Sequence, residues 1–383
     1  SLSKILSKYK NYTKYENWFF IVIVSLILIE LVFLHSLPLA TKVIAPEKID
    51  LLEQISQDKS KFRTANLAMK DIIGAAGYNY YAQKGISEIK GGGGIWINDY
   101  VGFINIVQQS LNPGMFGLLN VKYLVTDTEF EAKDLVLVNK FKDCKECDVG
   151  NVFGPYLYEN KKALPRFYVV PNSVLVIGEN KLVKQVIYTL MLQNFPSNIV
   201  LVEGTNIKDY SVDFLKRFDS IILLKDYINN EGISKVSQYV QSGGKIVPDI
   251  LNGKYGLSDK DLIFVPNITG DAYKEININS YSNNKVILNL NGERGWLVAS
   301  ERFAHFPGWE ADFNGEKMDL AKAFNVITAV HLNGEYGNLT FEYKPRSYRK
   351  GKWISGLALL IIISYFSYFI YTKQNNYKIP KNP

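Results

Sequence analysis

The sequence WISGLALLIIISYFSYFIYT, from Trp353 to Thr372, contains no charged residue. A helix rises about 1.5 Å per residue, so this stretch would span roughly 30 Å, the thickness of a bilayer's hydrocarbon core. Trp353 at one end, and Tyr368 and Tyr371 at the other, are residue types that settle among lipid headgroups. A buried core helix would instead show a polar face, and none is visible. The stretch therefore predicts a transmembrane helix over residues 353–372.

A second apolar stretch, WFFIVIVSLILIELVFLHSL, predicts a transmembrane helix over residues 18–39. No third stretch between them is long and apolar enough to cross, so residues 41–350 are expected on one side of the membrane. Lysines in residues 1–17 and 373–383 favour an inner location for both of those segments. Cations just before the second span oppose this orientation. We expect a multi-pass protein of the cell membrane, with most of the chain on the extracytoplasmic side.

Glu30 lies inside the first predicted span. An ionisable group at membrane depth usually faces a protein interior or a cavity, so Glu30 predicts that this helix packs against other helices. The chain begins with Ser1, and its first methionine is Met69. We therefore expect upstream transmembrane helices of the same polypeptide as partners, besides the lipid bilayer itself.

The net charge of +7 over 383 residues is mild. It fits attraction to anionic headgroups, and no basic stripe interleaved with aromatic residues indicates nucleic-acid binding. The glycine run at residues 91–94 lacks the following Lys-Ser/Thr of a phosphate-binding loop, so a flexible loop is expected there. The sequence predicts no cofactor and no nucleic-acid partner.

Between the spans, the apolar pattern changes twice along the chain. Residues 41–172 mix helical and strand patterns. Residues 173–252 alternate short apolar strands, such as SVLVIGE and SIILLKD, with helices, which predicts a doubly wound parallel sheet. Residues 274–345 alternate apolar and polar positions and contain three Asn-Gly turns, which predicts an antiparallel β-sandwich. The predicted fold is a membrane-anchored α+β ectodomain flanked by two transmembrane helices.

Cys144 and Cys147 form the motif CKEC and are the only cysteines. With three histidines in the chain, the ligands for a structural zinc site are too few, and no metal site is predicted. A local disulfide is favoured on the outer side, with free thiols as the alternative, while a redox role lacks its strand-to-helix setting. Asn267 and Asn338 begin N-x-T sequences and are candidate glycosylation sites.

The run ERFAHFPGWEADFNGE, Glu301 to Glu316, carries the candidate binding residues. Pro307 and Gly308 predict a turn, and Trp309 is expected to anchor a core or an interface between domains. The alternative is contact with an acceptor sugar, because aromatic faces flanked by polar groups suit carbohydrate. The residues that would make this contact are Glu301, Arg302, His305 and Trp309.

That run, followed by VITAVHLNGEYGNLTFEYKPRSYRKGKWISG and the last apolar stretch, resembles the C-terminal region of YfhO-type multi-pass membrane proteins. GLLNVKYLVTD and YENKKALPRFYVV resemble two further segments of that family, in the same order. The resemblance implies a glycosyltransferase of the GT-C class, which moves a sugar from a polyprenyl-phosphate carrier to an acceptor on the outer membrane face. The family's catalytic acid lies in an early loop without a counterpart here, so the catalytic residues are unknown.

KRFDSIILLKDY and QYVQSGGKIV, within residues 173–252, resemble class I glutamine-amidotransferase-like domains of the flavodoxin-like type. Active members use a cysteine nucleophile, and neither cysteine lies in this module, so a packing or binding role is expected. Two functions stay open. The ectodomain either assists acceptor binding in a GT-C glycosyltransferase, or it is a non-enzymatic, membrane-tethered module that binds glycan or a protein partner.

Overall fold

The computed structural model describes residues 50–67, 81–82, 84–90, 97–126, 128–141, 155–192, 198–224, 230–248 and 273–376. Apart from Asp50, all of them belong to one compact unit, Leu51–Pro383. The first predicted span with Glu30, both cysteines, the glycine run and Asn267 lie outside the described residues.

The helices and strands of this part of the chain follow in sequence order. The helices are α1 (Asp50–Gln57), α2 (Asn98–Ser110), α3 (Pro113–Leu118), α4 (Asn180–Leu192), α5 (Val212–Leu215), α6 (Asn230–Gln241) and α7 (Arg346–Asn376). The strands up to the middle of the chain are β1 (Arg63–Asn66), β2 (Ser87–Glu88), β3 (Val121–Thr126), β4 (Leu135–Lys140), β5 (Tyr156–Asn160), β6 (Phe167–Val170), β7 (Asn172–Ile177), β8 (Ile199–Gly204), β9 (Ser220–Leu223) and β10 (Lys245–Pro248). The remaining strands are β11 (Lys274–Glu275), β12 (Ile278–Tyr281), β13 (Lys285–Asn291), β14 (Arg294–Ala299), β15 (Trp309–Phe313), β16 (Glu316–Met318), β17 (Ala321–Ala323), β18 (Ile327–Asn333) and β19 (Tyr336–Tyr343).

The first sheet has five strands in the order β2-β1-β3-β5-β4, with β1 parallel to both of its neighbours. The sequence GLLNVKYLVTD is apolar from its start, but the strand within it begins only at Val121. The residues before it complete α3, because the side chain of Asn112 accepts hydrogen bonds from the first N–H groups of that helix and Pro113 starts it. A local cap therefore overrides the continuous apolar pattern.

The central sheet has nine strands in the order β10-β9-β7-β8-β17-β18-β14-β6-β11. The first four are parallel, with α4 between β7 and β8 along the chain and α6 between β9 and β10. The other five are antiparallel to their neighbours, and they join the parallel strands through one residue pair, Val202 with Ala323. The predicted ranges 173–252 and 274–345 therefore share one continuous sheet.

A third sheet of five antiparallel strands, in the order β12-β13-β19-β15-β16, packs on one face of the central sheet. Side chains of the central strands alternate between two cores, as the period of a strand requires. Phe167 and Val169 pack toward the third sheet, whereas Tyr168 and Val170 belong to the larger core that contains α2, α3 and α4. The expected mixture of helices with parallel and antiparallel sheets is thus confirmed.

The chain leaves β19 and continues into α7, whose apolar part contains the predicted span 353–372. Residues Arg346–Tyr368 are long and apolar enough to cross a membrane, and no other helix of the described residues is. None of that segment is buried against protein, and the side chain of Trp353 is 78% exposed. Among the described residues, no other element covers the apolar surface of this segment.

Candidate functional site

The Pro307-Gly308 turn fastens the chain at the start of α7. Gly308 has a φ of +107°, and a Cβ atom there would lie 2.9 Å from the Cα atom of Pro345. The carbonyl oxygen of Gly308 accepts a hydrogen bond of 2.6 Å from the N–H of Lys344. Only glycine satisfies both the backbone conformation and the close approach. The predicted turn is present, and it holds the segment that links β19 to α7.

A cavity of about 530 Å³ opens beside this turn, and we call it the helix-base cavity. Its lining comes from three segments, residues 307–311, 317–320 and 344–347. Trp309 forms one wall, held with its ring centroid 4.3 Å from that of Phe303 and 5.6 Å from that of Tyr343. The cavity thus combines a fixed aromatic face with the first residues of α7.

Charged side chains of both signs line the helix-base cavity. Lys317 lies 3.9 Å from Glu310, and Lys344 lies 2.8 Å from Glu342, which is just outside the lining. Arg346 also lines the cavity, and among the residues that the structure describes no side chain pairs with it. One guanidinium at the base of α7 is therefore available to a ligand.

Glu301, predicted as an acceptor contact, does not line the cavity. Its carboxylate accepts hydrogen bonds from Arg63 at 2.8 Å, from Arg166 at 2.5 Å and from the hydroxyl of Tyr281 at 2.7 Å. Burial alone would raise the pKa of Glu301, but the two guanidinium groups outweigh it and hold the pKa below its usual value. Both carboxylate oxygens are thus engaged within the protein.

Arg302 and His305 also have partners inside the fold. The guanidinium of Arg302 lies 4.0 Å from the ring centroid of Tyr100, a cation–π contact. The Nε2 atom of His305 lies 3.3 Å from the carbonyl oxygen of Ile327. Burial, aided by the positive charge of Lys322, lowers the pKa of His305 to about 4, so the ring is neutral at pH 7. Of the four predicted contact residues, Trp309 alone lines the helix-base cavity.

Glu203 is a half-buried carboxylate at the place where the two parts of the central sheet meet. The sequence analysis did not single it out. Glu203 follows Val202, the residue that pairs β8 with β17. Burial raises the pKa of Glu203 to about 7, although Lys322 and Lys184 oppose the rise. Its sequence signal is weak: a single acid at the end of the apolar strand NIVLVEG.

Two other predicted features concern modification and metal binding. Asn338 lies on β19 with an exposed side chain, opposite Asn289 of β13. Its accessibility fits a glycan, and glycosylation stays a prediction. Within the described ranges, no three His, Cys, Asp or Glu side chains come together as metal ligands would.

The sequence matches no protein-family model, and no curated protein or solved structure is similar to it. The resemblances to YfhO-type proteins and to amidotransferase-like domains therefore stay predictions from the quoted segments. What the protein does has to be inferred from the helix-base cavity and from α7.

Proposed function

We propose that this chain is the extracytoplasmic and membrane portion of a GT-C type glycosyltransferase that uses a polyprenyl-phosphate-linked sugar, and that its ectodomain assists acceptor binding. The observation that carries the proposal is the helix-base cavity, where the aromatic wall of Trp309 adjoins the first residues of an apolar helix. A donor carried by a lipid reacts at the membrane surface, so the acceptor has to be held there.

The level of the cavity relative to the bilayer follows from the length of α7. We infer that residues 353–372 cross the membrane, with Trp353 at the outer interface. Arg346, which lines the cavity, precedes Trp353 by seven residues, or about 10 Å at 1.5 Å per residue. An acceptor in the cavity would lie at the outer edge of the headgroup layer, within reach of a lipid-linked donor.

The chemistry of the lining suits a saccharide. The apolar face of a sugar ring packs against an aromatic ring, while its hydroxyl groups need hydrogen-bond partners at the edge. Trp309 supplies the ring, and Asp319 and Lys317 supply an acceptor and a donor at the rim.

We further infer that the parallel strands β8-β7-β9-β10 form the doubly wound module, with a packing role.

The proposal is tested with the full chain in detergent on a glycan array. Trp309→Ala should abolish the signal for the bound glycan, and Asp319→Asn, which removes an exposed carboxylate without disturbing packing, should weaken it. Tyr336→Ala is the matched control, because Tyr336 is an aromatic residue 75% exposed on β19 and outside the cavity lining. Binding that survives both cavity variants would reject the cavity as the acceptor site.

The non-enzymatic alternative differs in the size of the native protein. A native product well above 43.5 kDa, with apolar peptides upstream of Ser1, would support the glycosyltransferase. An immunoblot against residues 41–350 followed by peptide mapping gives both quantities. A product of 43.5 kDa would favour the membrane-tethered module that binds glycan or a protein partner.

A further inference from the structure

We infer that a basic corner, formed by Lys344 and Arg346 of the helix-base cavity and by Lys350 one turn further along α7, binds the phosphate of a monoanionic phospholipid of the surrounding bilayer. The inference rests on the proposed function in one respect, the crossing of the membrane by α7. It assigns the cavity a second ligand besides the acceptor, and that ligand is part of the membrane itself.

The corner continues from the cavity down one face of α7. Arg346, Lys350 and Trp353 are spaced by four and then three residues, so they share a helix face. With Trp353 at the interface, Lys350 lies about 4.5 Å and Arg346 about 10 Å above it. Each headgroup layer is about 5 to 8 Å thick, so the two cations bracket the depth of the phosphate groups.

The charge balance at this corner favours a single phosphate. Between Glu342 and Lys352 the chain carries five cations and one carboxylate. That carboxylate, Glu342, contacts Lys344 at 2.8 Å, whereas no described side chain pairs with Arg346. A planar guanidinium binds two phosphate oxygens at once, and a neighbouring ammonium adds a point charge. A phosphate is the ligand that this arrangement fits.

The acids of the cavity indicate which phosphate compound binds. Glu310 and Asp319 line it beyond the basic corner. They would repel a polyanion, but Glu310 can accept hydrogen bonds from the hydroxyl groups of a glycerol headgroup. A lipid such as phosphatidylglycerol brings one negative charge and two hydroxyl groups to the required depth, because its acyl chains lie beside the uncovered surface of α7.

The test uses the full chain reconstituted in nanodiscs with equal amounts of phosphatidylglycerol and phosphatidylcholine. The protein is then extracted in mild detergent, and the lipids that stay bound are quantified by mass spectrometry. The cavity variant is Lys344→Gln, Arg346→Gln and Lys350→Gln together. The control variant loses the same charge from three exposed lysines elsewhere on the ectodomain: Lys133→Gln, Lys161→Gln and Lys216→Gln.

The wild-type protein and the control variant should retain phosphatidylglycerol over phosphatidylcholine by about fivefold, the factor that one cation contributes beside an anionic headgroup. The cavity variant should retain the two lipids at the input ratio. Equal enrichment in both variants would overturn the inference. Displacement of the lipid by about 10 mM inorganic phosphate would also overturn the inference, in favour of a small-anion site. A site that is specific for the lipid should keep it at that phosphate concentration.

A separate measurement tests the membrane crossing. Protease added outside intact cells should leave a tag placed after Pro383 intact. If the protease removes that tag, α7 does not cross and the proposed function fails together with the lipid site. If the tag is protected and the lipid ratio does not respond to the cavity variant, the lipid inference alone fails.

Discussion

Replacing Glu301 by glutamine removes a carboxylate that two arginines share. The side chains of Glu301 and Arg63 are each 12% exposed, and that of Arg166 is 10% exposed. Glutamine keeps the size of the side chain but leaves both guanidinium groups without a countercharge. Arg63 still donates to the carbonyl oxygens of Leu119 and Ser300, so its hydrogen bonds are only partly lost.

Removing one partner of a buried ion pair costs about 3 to 5 kcal/mol, and the remaining hydrogen bonds of Arg63 favour the lower end. We therefore expect Glu301→Gln to lower the free energy of unfolding by about 3 kcal/mol, or Tm by roughly 6 °C. The matched control is Glu342→Gln, which breaks an ion pair whose side chains are 33% and 56% exposed. An exposed pair contributes at most about 1 kcal/mol, so its Tm should fall by no more than about 2 °C.

Thermal unfolding of the full chain in detergent, followed by intrinsic fluorescence, measures both variants. Equal Tm values for Glu301→Gln and Glu342→Gln would refute the structural role of the buried network. A Glu301→Gln protein with an unchanged Tm that no longer binds glycan would return Glu301 to the role of an acceptor contact. The assay therefore separates the two interpretations of this residue.

Two further predictions concern pH and the turn. The folded-state pKa of Glu203, about 7, lies above its unfolded value of 4.5, so the stability that this group contributes is greatest below pH 4.5 and falls as the pH rises to 7. Glu203→Gln should therefore flatten the profile of Tm against pH between about pH 5 and 8. An unchanged slope would contradict the burial of this carboxyl group. Gly308→Ala should lower Tm by more than Gly315→Ala. Both glycines have a positive φ, but only at Gly308 would an added Cβ atom clash, lying 2.9 Å from Pro345. Equal losses of Tm would mean that backbone strain alone matters.

Local patterns in the sequence were sufficient to predict the elements around the site. Uncharged residues at 353–372 indicated the apolar part of α7, and Pro307-Gly308 indicated the turn. Alternation in residues 274–345 indicated strands with one buried face, as the third sheet has. In each case the signal and the structure that it specifies lie within a few residues of each other.

Long-range partners were not predictable in this way. Alternation of apolar and polar residues shows which face of a strand is buried, but it does not show which strand lies beside it. The sequence therefore did not predict the pairing of Val202 with Ala323, which extends the parallel sheet. Likewise, Glu301 and Arg166 are separated by 135 positions. A charged residue next to an aromatic motif has the same local pattern whether it binds a ligand or completes a buried network.

The segment from Ser300 to Trp309 explains how the fold could fix the helix-base cavity relative to α7. At its start, the hydroxyl of Ser300 donates to the carbonyl oxygen of Leu118, and the carboxylate of Glu301 binds two arginines. At its end, Gly308 contacts Lys344 through the backbone, and Trp309 pairs with Tyr343. Both ends are thus held by buried or backbone contacts, and the cavity wall is tied to the end of β19, directly before α7 begins. A ligand bound in the cavity would therefore lie beside the first residues of the helix that we propose crosses the membrane.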